Sequence, residues 1–203
     1  MSTSREIRAT YDSNTITVYQ AFSHKIADGT LKAGRFVAPF SFHRMTWIKP
    51  SFLWLMYRSQ WGQKSCQERI FSIRISRQSW ESALSQAVLT SFCKRVHGTY
   101  QAWQDQFKKT EVHVQWDPER TIHGKALPYG SIQVGISRHL IRDYAEKWIV
   151  DMNDITPLVN KIYDLKQSGQ SSKVTRYLPV ESRYPVCEKI THRLGMRKTK
   201  HDD

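Results

Sequence analysis

Pro50 is followed by SFLWLMYRS, a stretch whose apolar side chains point in every direction around a helical wheel. A helix without a polar face has no stable place on a surface, so the rest of the chain must wrap it. Pro50 suits the first turn of such a helix, where a missing N–H leaves no bond unmade. Phe52, Leu53, Leu55 and Met56 therefore read as core, and Trp54 and Tyr57 as core or as ring-bearing walls.

The flanking sequence supplies both strands and helices for the wrapping. Thr15 to Phe22 alternates like a half-buried strand, and HKIADGTLKAG after it reads as a short helix interrupted or ended by Gly29 and Gly34. Arg35 to Phe42 is expected to be extended again, and Ile70 to Ile75 to be another strand. Gln78 to Lys94 carries an apolar face at helical spacing, and GTYQAWQDQFKK is helical or irregular. Val112 to Trp116 and Ser131 to Ile136 alternate as strands. His139 to Val150 and Ile155 to Leu165 read as helices or a helix plus a short strand, with Thr156 and Pro157 at a helix start. No regular strand-helix alternation emerges, which predicts an α+β fold: one compact domain with a mixed, mostly antiparallel sheet around the buried helix. Residues 1–168 are expected to form the catalytic or binding domain. Residues 169–203 are expected to be a peripheral basic tail, its end THRLGMRKTK a disordered charge run.

Charge narrows the partner. The 203-residue chain carries a formal +13, and residues 41–80 hold seven basic side chains against the single acid Glu68. In that block Arg44, Lys49, Arg58, Lys64 and Arg69 are interleaved with Phe42, Trp47, Trp54, Tyr57 and Trp61. Phosphates suit the cations and bases suit the rings, so RNA or DNA is the expected partner, the plainer alternative being a solvated basic surface. Three cysteines at scattered positions fit a reducing compartment, hence an intracellular location, cytoplasmic or nuclear. The longest apolar run, Phe52 to Tyr57, is too short to span a bilayer, and neither a secretory leader nor a membrane partner is expected.

The segment from Arg44 to Lys64 concentrates the candidate binding residues. If Arg44 to Lys49 is extended, Arg44 and Thr46 share one face while Trp47 and Lys49 share the other. The helix end at Ser51 would offer free amides to a phosphate, with Arg44 as a bidentate contact and Lys49 as a point charge. Trp47 or Tyr57 would stack on a ligand ring, and Arg58, Lys64 and Arg69 would continue the surface along a nucleic acid. Asp117 with Pro118 reads either as a turn or as a catalytic carboxylate, and Cys66 reads as an inert thiol despite its basic neighbours. The eight histidines form no HxxxH or HExxH pair and no CxxC occurs, so no metal site is expected. Phosphate-binding glycine loops and the GxSxG elbow are also absent.

VYQAF at Val18 to Phe22, RMTWIKPSFLWLMYRS at Arg44 to Ser59, QWDPER at Gln115 to Arg120 and SIQVGISR at Ser131 to Arg138 resemble the family called domain of unknown function 4291, over roughly residues 5–165. Separately, VYQAFSHKIADGTLKAGRF resembles the opening of ADP-ribosyltransferase-type folds, with Gln20 at the position of a histidine. That resemblance implies NAD as co-substrate, bent in a cleft between small sheets, with its nicotinamide bond loosened for attack by a nucleophile. It implies Gln20 on the ribose, Tyr19 or Trp47 against nicotinamide, Arg44, Lys49 and the Ser51 helix end on the pyrophosphate, and Glu119 or Gln133 near the ribose hydroxyls. The expected function is ADP-ribosyl transfer from NAD to a nucleic acid. The alternatives are a non-catalytic RNA- or DNA-binding protein and a metal-independent nuclease or phosphotransferase using His43 or His113 with Lys49.

Overall fold

The stretch after Pro50 is a helix, but the proline stands outside it. Ser51 is the cap: its Oγ accepts the Trp54 N–H at 3.2 Å, so the helical residues run Phe52–Ser59. A computed structural model describes residues 4–196. In chain order the elements are β1 (Ser4–Arg5), β2 (Arg8–Ala9), β3 (Thr15–Phe22), α1 (His24–Ala33), β4 (Thr46–Ile48), α2 (Phe52–Ser59), β5 (Arg69–Ser76), α3 (Arg77–Gln86) and β6 (Val88–Leu89). Then come α4 (Lys94–His97), α5 (Tyr100–Lys109), β7 (Val112–Arg120), β8 (Ala126–Ile136), α6 (Ile141–Asp143), β9 (Ile149–Asp154), α7 (Thr156–Gln167), α8 (Ser171–Val174), β10 (Ser182–Arg183) and α9 (Glu188–Arg193). A single π-helical turn, Tyr144–Trp148, joins α6 to β9.

One sheet runs β1-β8-β7-β6, with β4 also paired to β8; a second runs β3-β5-β9; β2 and β10 form a separate ribbon. Only β1 with β8 and β6 with β7 are parallel, so the α+β fold is mixed and mostly antiparallel. The second sheet is covered on both faces, which is why β3 is buried along nearly its whole length. Ile16, Val18, Phe71 and Ile73 face the main core with Trp80 and Val114. Tyr19 and Ile70 face a second cluster built by Phe52, Leu55 and Met56 of α2 with Val159 and Ile162 of α7. Burying each such side chain contributes about 1.5–3 kcal/mol, enough to hold α2 against β3.

Three expectations are corrected. Residues Arg35 to Phe42 form turns, not a strand: Phe40 N–H donates to the Val37 carbonyl at 2.9 Å, and Phe36 and Phe40 stack with ring centres 4.2 Å apart. The helix expected to reach Lys94 ends at Gln86, because Val88–Leu89 pair with β7. The segment expected to be a peripheral tail packs inward, with Tyr184, Ile190 and Leu194 in the main core and β10 on β2. Its aromatic and aliphatic residues, spaced among charges, gave no periodic signal. Residues 197–200 of the basic end lie outside the described residues. Among those described, no helix is long and apolar enough to cross a membrane.

Candidate functional site

The two sheets touch where the Tyr19 N–H donates to the Lys49 carbonyl at 2.7 Å. Beside that contact lies a cleft of about 760 Å³. Gln20, Ala21 and Phe22 of β3 line one side, the 40–47 loop and β4 bring Arg44 and Trp47, α2 brings Trp54 and Arg58, and β7 and β8 bring Gln115, Asp117 and Gln133. Six sequence-predicted residues, Gln20, Arg44, Trp47, Lys49, Arg58 and Gln133, therefore meet in one hollow. Cys66 also lines it.

Gln20 is nearly saturated with hydrogen bonds. Its amide donates to Thr46 Oγ1 at 2.8 Å and to the Trp47 carbonyl at 3.2 Å, while its Oε1 accepts the Tyr144 hydroxyl at 2.6 Å. Both amide protons are used, so only a carbonyl lone pair remains for a ligand. Gln20 thus ties β3 to β4 and fixes the backbone that carries Trp47. The Trp47 ring lies over Gly135, its cross-strand partner in β8, where a Cβ would come within 3.0 Å of the indole and 2.7 Å of Met45 Sδ.

On β7, Gln115 and Asp117 project from the same face, as alternation requires. Asp117 accepts from Gln115 Nε2 at 2.9 Å and from Gln133 Nε2 at 2.8 Å, so two amides hold one carboxylate and leave it lone pairs for further donors. Asp117 sits inside the strand, paired opposite Ser131, and not in the turn that its neighbour Pro118 suggested. Glu119 would lie on the same face if the strand stayed regular. The register shifts between Pro118 and Arg120, and this irregularity turns Glu119 away. Glu119 is buried, accepts the Arg120 N–H at 2.8 Å, and bonds Ser51 and Ser131. Burial raises its carboxyl above the usual range, opposed by those hydrogen bonds and by Arg8. The carboxylate of the cleft is Asp117.

Lys49 is half-buried, and its ammonium donates to the Trp47 carbonyl at 3.2 Å and lies 5.7 Å from the centre of the Trp54 ring. Among the described residues no carboxylate reaches ion-pair distance of it. Burial, helped by the Arg58 cation and opposed by Asp117, brings its pKa down to about 7. A phosphate placed between Lys49, Arg58 and Arg44 would reverse that shift.

Other expected contacts lie elsewhere. Tyr19 points away from Gln20, as neighbours on a strand must, and packs edge-on against Phe52. The helix end at Ser51 is closed to phosphate: Ser51 is buried under its own cap bond, and the Phe52 N–H donates to Glu181 Oε1 at 2.7 Å. Tyr57 projects from the opposite side of α2, under the Arg120 guanidinium at 3.9 Å. Lys64 lines a second hollow on that side. Arg69 is clamped between Asp154 and Asp28, the latter at 2.6 Å, and is spent on joining β5 to β9 and α1. His113 is buried against Phe107 and His43 stands exposed in a turn, neither of them lining the cleft with Lys49. Glu181 gave no signal in the sequence. Gln115 gave a faint one, two residues before Asp117 in an alternating strand.

Fold and cleft define an α+β protein with a basic, ring-lined hollow where two small sheets meet. The model of the family described as domain of unknown function (DUF4291) matches residues 6–184, and the chain belongs to that family. The match runs past α7 to Tyr184, so it includes Glu181 and the ribbon strand β10, further than the resemblance in the sequence extends. No curated protein matches the chain.

Proposed function

We propose that the cleft binds NAD and that the protein transfers ADP-ribose from it to a nucleic acid. The observation that carries this reading is the convergence of Gln20, Arg44, Trp47, Lys49, Arg58 and Gln133 on one hollow. A dinucleotide fits the residues present: about 760 Å³ is within the usual range of ligand pockets, and Lys49 is an ammonium held there without an ion pair. NAD would supply a ribosyl carbon whose bond to nicotinamide breaks, the leaving group taking the electron pair, as an acceptor attacks and gives up its proton.

The protein's own groups divide the work. Arg44 and Arg58 supply fork-shaped donors for the pyrophosphate and Lys49 a point charge. The half-buried Trp47 offers a ring face. Asp117, held by Gln115 and Gln133, accepts from ribose hydroxyls, and the remaining lone pair of Gln20 adds an acceptor from a fixed position. Gln20 acts mainly as a positioning residue. Incubation with labelled NAD and either RNA or DNA tests the reaction. Label is expected on the polymer with the wild type and at least tenfold less with Arg44→Ala, whose melting temperature without ligand stays unchanged because Arg44 is exposed. No transfer to either polymer would remove the transferase reading.

A further inference from the structure

Arg58 lines two hollows. Besides the main cleft it borders a second of about 430 Å³ on the other side of α2, walled by Tyr57 and Trp61, by Lys64, by the 121–124 turn between β7 and β8, and by Lys166 at the end of α7. Its lining holds three basic side chains, Arg58, Lys64 and Lys166, and no carboxylate. Among the described residues none of the three has an ion-pair partner, although seven carboxylates elsewhere, Glu6, Asp12, Asp28, Glu81, Asp143, Glu146 and Asp154, do pair with cations. The Lys166 ammonium instead lies over Trp61 and Tyr163, at 5.8 and 5.7 Å from their ring centres.

Three unneutralised cations around one concavity repel each other, and a chain of phosphates relieves that repulsion. Tyr57 adds the second element. It is 45% exposed, with one face fixed under Arg120 and its edge against Gly124, so its ring is held in place. A fixed, open ring beside cations suits an unpaired base, whereas the bases of a duplex are already stacked on each other.

We propose that this second cleft holds a single-stranded nucleic acid, its phosphates on Lys64, Lys166 and Arg58 and a base against Tyr57, the strand passing Arg58 to enter the main cleft. The role of that strand as acceptor rests on the transferase reading, while its binding does not. Fluorescence anisotropy with a labelled single-stranded oligonucleotide tests it, on the full chain, with wild type, the double variant Lys64→Glu/Lys166→Glu and Arg183→Ala. The double variant is expected to bind at least tenfold more weakly. Its log–log salt slope is expected to fall by about 1.4, since each neutralised phosphate of a single strand contributes roughly 0.7. Arg183→Ala, exposed on β10 and lining neither hollow, should bind as wild type, and the same sequence as a duplex, or inorganic phosphate, should compete poorly. If the double variant unfolds, Lys64→Gln/Lys166→Gln is expected to show the same loss in smaller measure. Unchanged affinity in the folded lysine variants, equal competition by duplex, or no binding by the wild type overturns the proposal. NAD-induced thermal stabilisation, read on the same samples, separates the two ideas: its absence with oligonucleotide binding lost in the double variant removes only the NAD reading, and its presence with binding unchanged removes only the second cleft.

Discussion

Two side chains carry charge in places that disfavour it, and they make opposite predictions. Unfolded, Lys49 keeps its proton to about 10.5; folded, burial releases it near 7. Across that window the unfolded chain binds more protons, so Lys49 makes stability rise with pH, and below pH 7 its buried charge weakens the fold. Lys49→Met should therefore raise stability at pH 6 by about 1 kcal/mol or more, since an apolar replacement removes an unpaired buried charge. For a chain of this size that is a Tm increase of about 2–4 °C. The same variant should weaken NAD binding at least tenfold. Gained stability with lost binding is the signature of a functional group; loss of both, measured by melting and titration, would make Lys49 structural. Glu181 has the reverse sign. Burial first, with Glu119 adding and the Phe52 N–H and Arg8 opposing, pushes its carboxyl up to about 8 from an ordinary 4.5. Its contribution is present at acid pH and is lost as pH rises through 8. Tyr19 and Tyr129 also feel these carboxyls. Glu181→Gln, which mimics the neutral acid, should melt close to wild type near pH 4 and increasingly above it as pH rises from 4.5 to 8, by a few degrees at pH 9; a constant gap between pH 4 and pH 9 would contradict this origin.

At the scale of elements, the site depends on β4 lying flat against β8. Adding a methyl at Gly135 requires Trp47 and Met45 to move, because the contact distances leave no room. Gly135→Ala should cost about 1–3 kcal/mol of stability from overpacking and also weaken NAD binding by displacing the ring. Unaltered binding would mean that Trp47 is not a ligand wall. The elements themselves were largely legible: Thr15 to Phe22 and Ile70 to Ile75 read as strands, and Thr156 with Pro157 as a helix start, whereas α2 was read as starting at Pro50 and starts after it, behind the Ser51 cap. What misled was local irregularity. The register shift after Pro118 reverses the direction of Glu119, and no alternation rule can place such a shift from one sequence. The phosphate site expected at the start of α2 failed for a related reason. Its amides were free in the local pattern, yet Glu181, 129 residues away from Phe52 along the chain, occupies one of them.

Across the whole molecule, the sequence located the basic, aromatic block but not how the last part of the chain completes it. Tyr184 hydrogen-bonds Glu81 at 2.6 Å and Arg77 at 2.9 Å while its ring packs against Tyr11, so α3, the segment between β2 and β3 and the C-terminal segment are tied together. Sparse apolar residues among charges read as a tail because each of them is buried by partners far away in sequence. Ending the chain at residue 168 should abolish the cooperative melt, because it exposes the main core and removes the Glu181 acceptor of the Phe52 N–H. A truncated protein that melts cooperatively near the wild-type temperature would show the segment to be accessory. The same long-range assembly sets the cleft, whose cations come from the 40–47 loop, β4 and α2 and whose carboxylate comes from β7. Calorimetric titration with NAD, between pH 6 and 9 in buffers of different ionisation enthalpy, bears on that assembly most directly. The wild type is expected to bind NAD and take up a proton above pH 7, with the uptake missing in Lys49→Met and the affinity reduced in Arg44→Ala. No binding heat, or binding that neither substitution alters, would contradict a nucleotide seated among these cations.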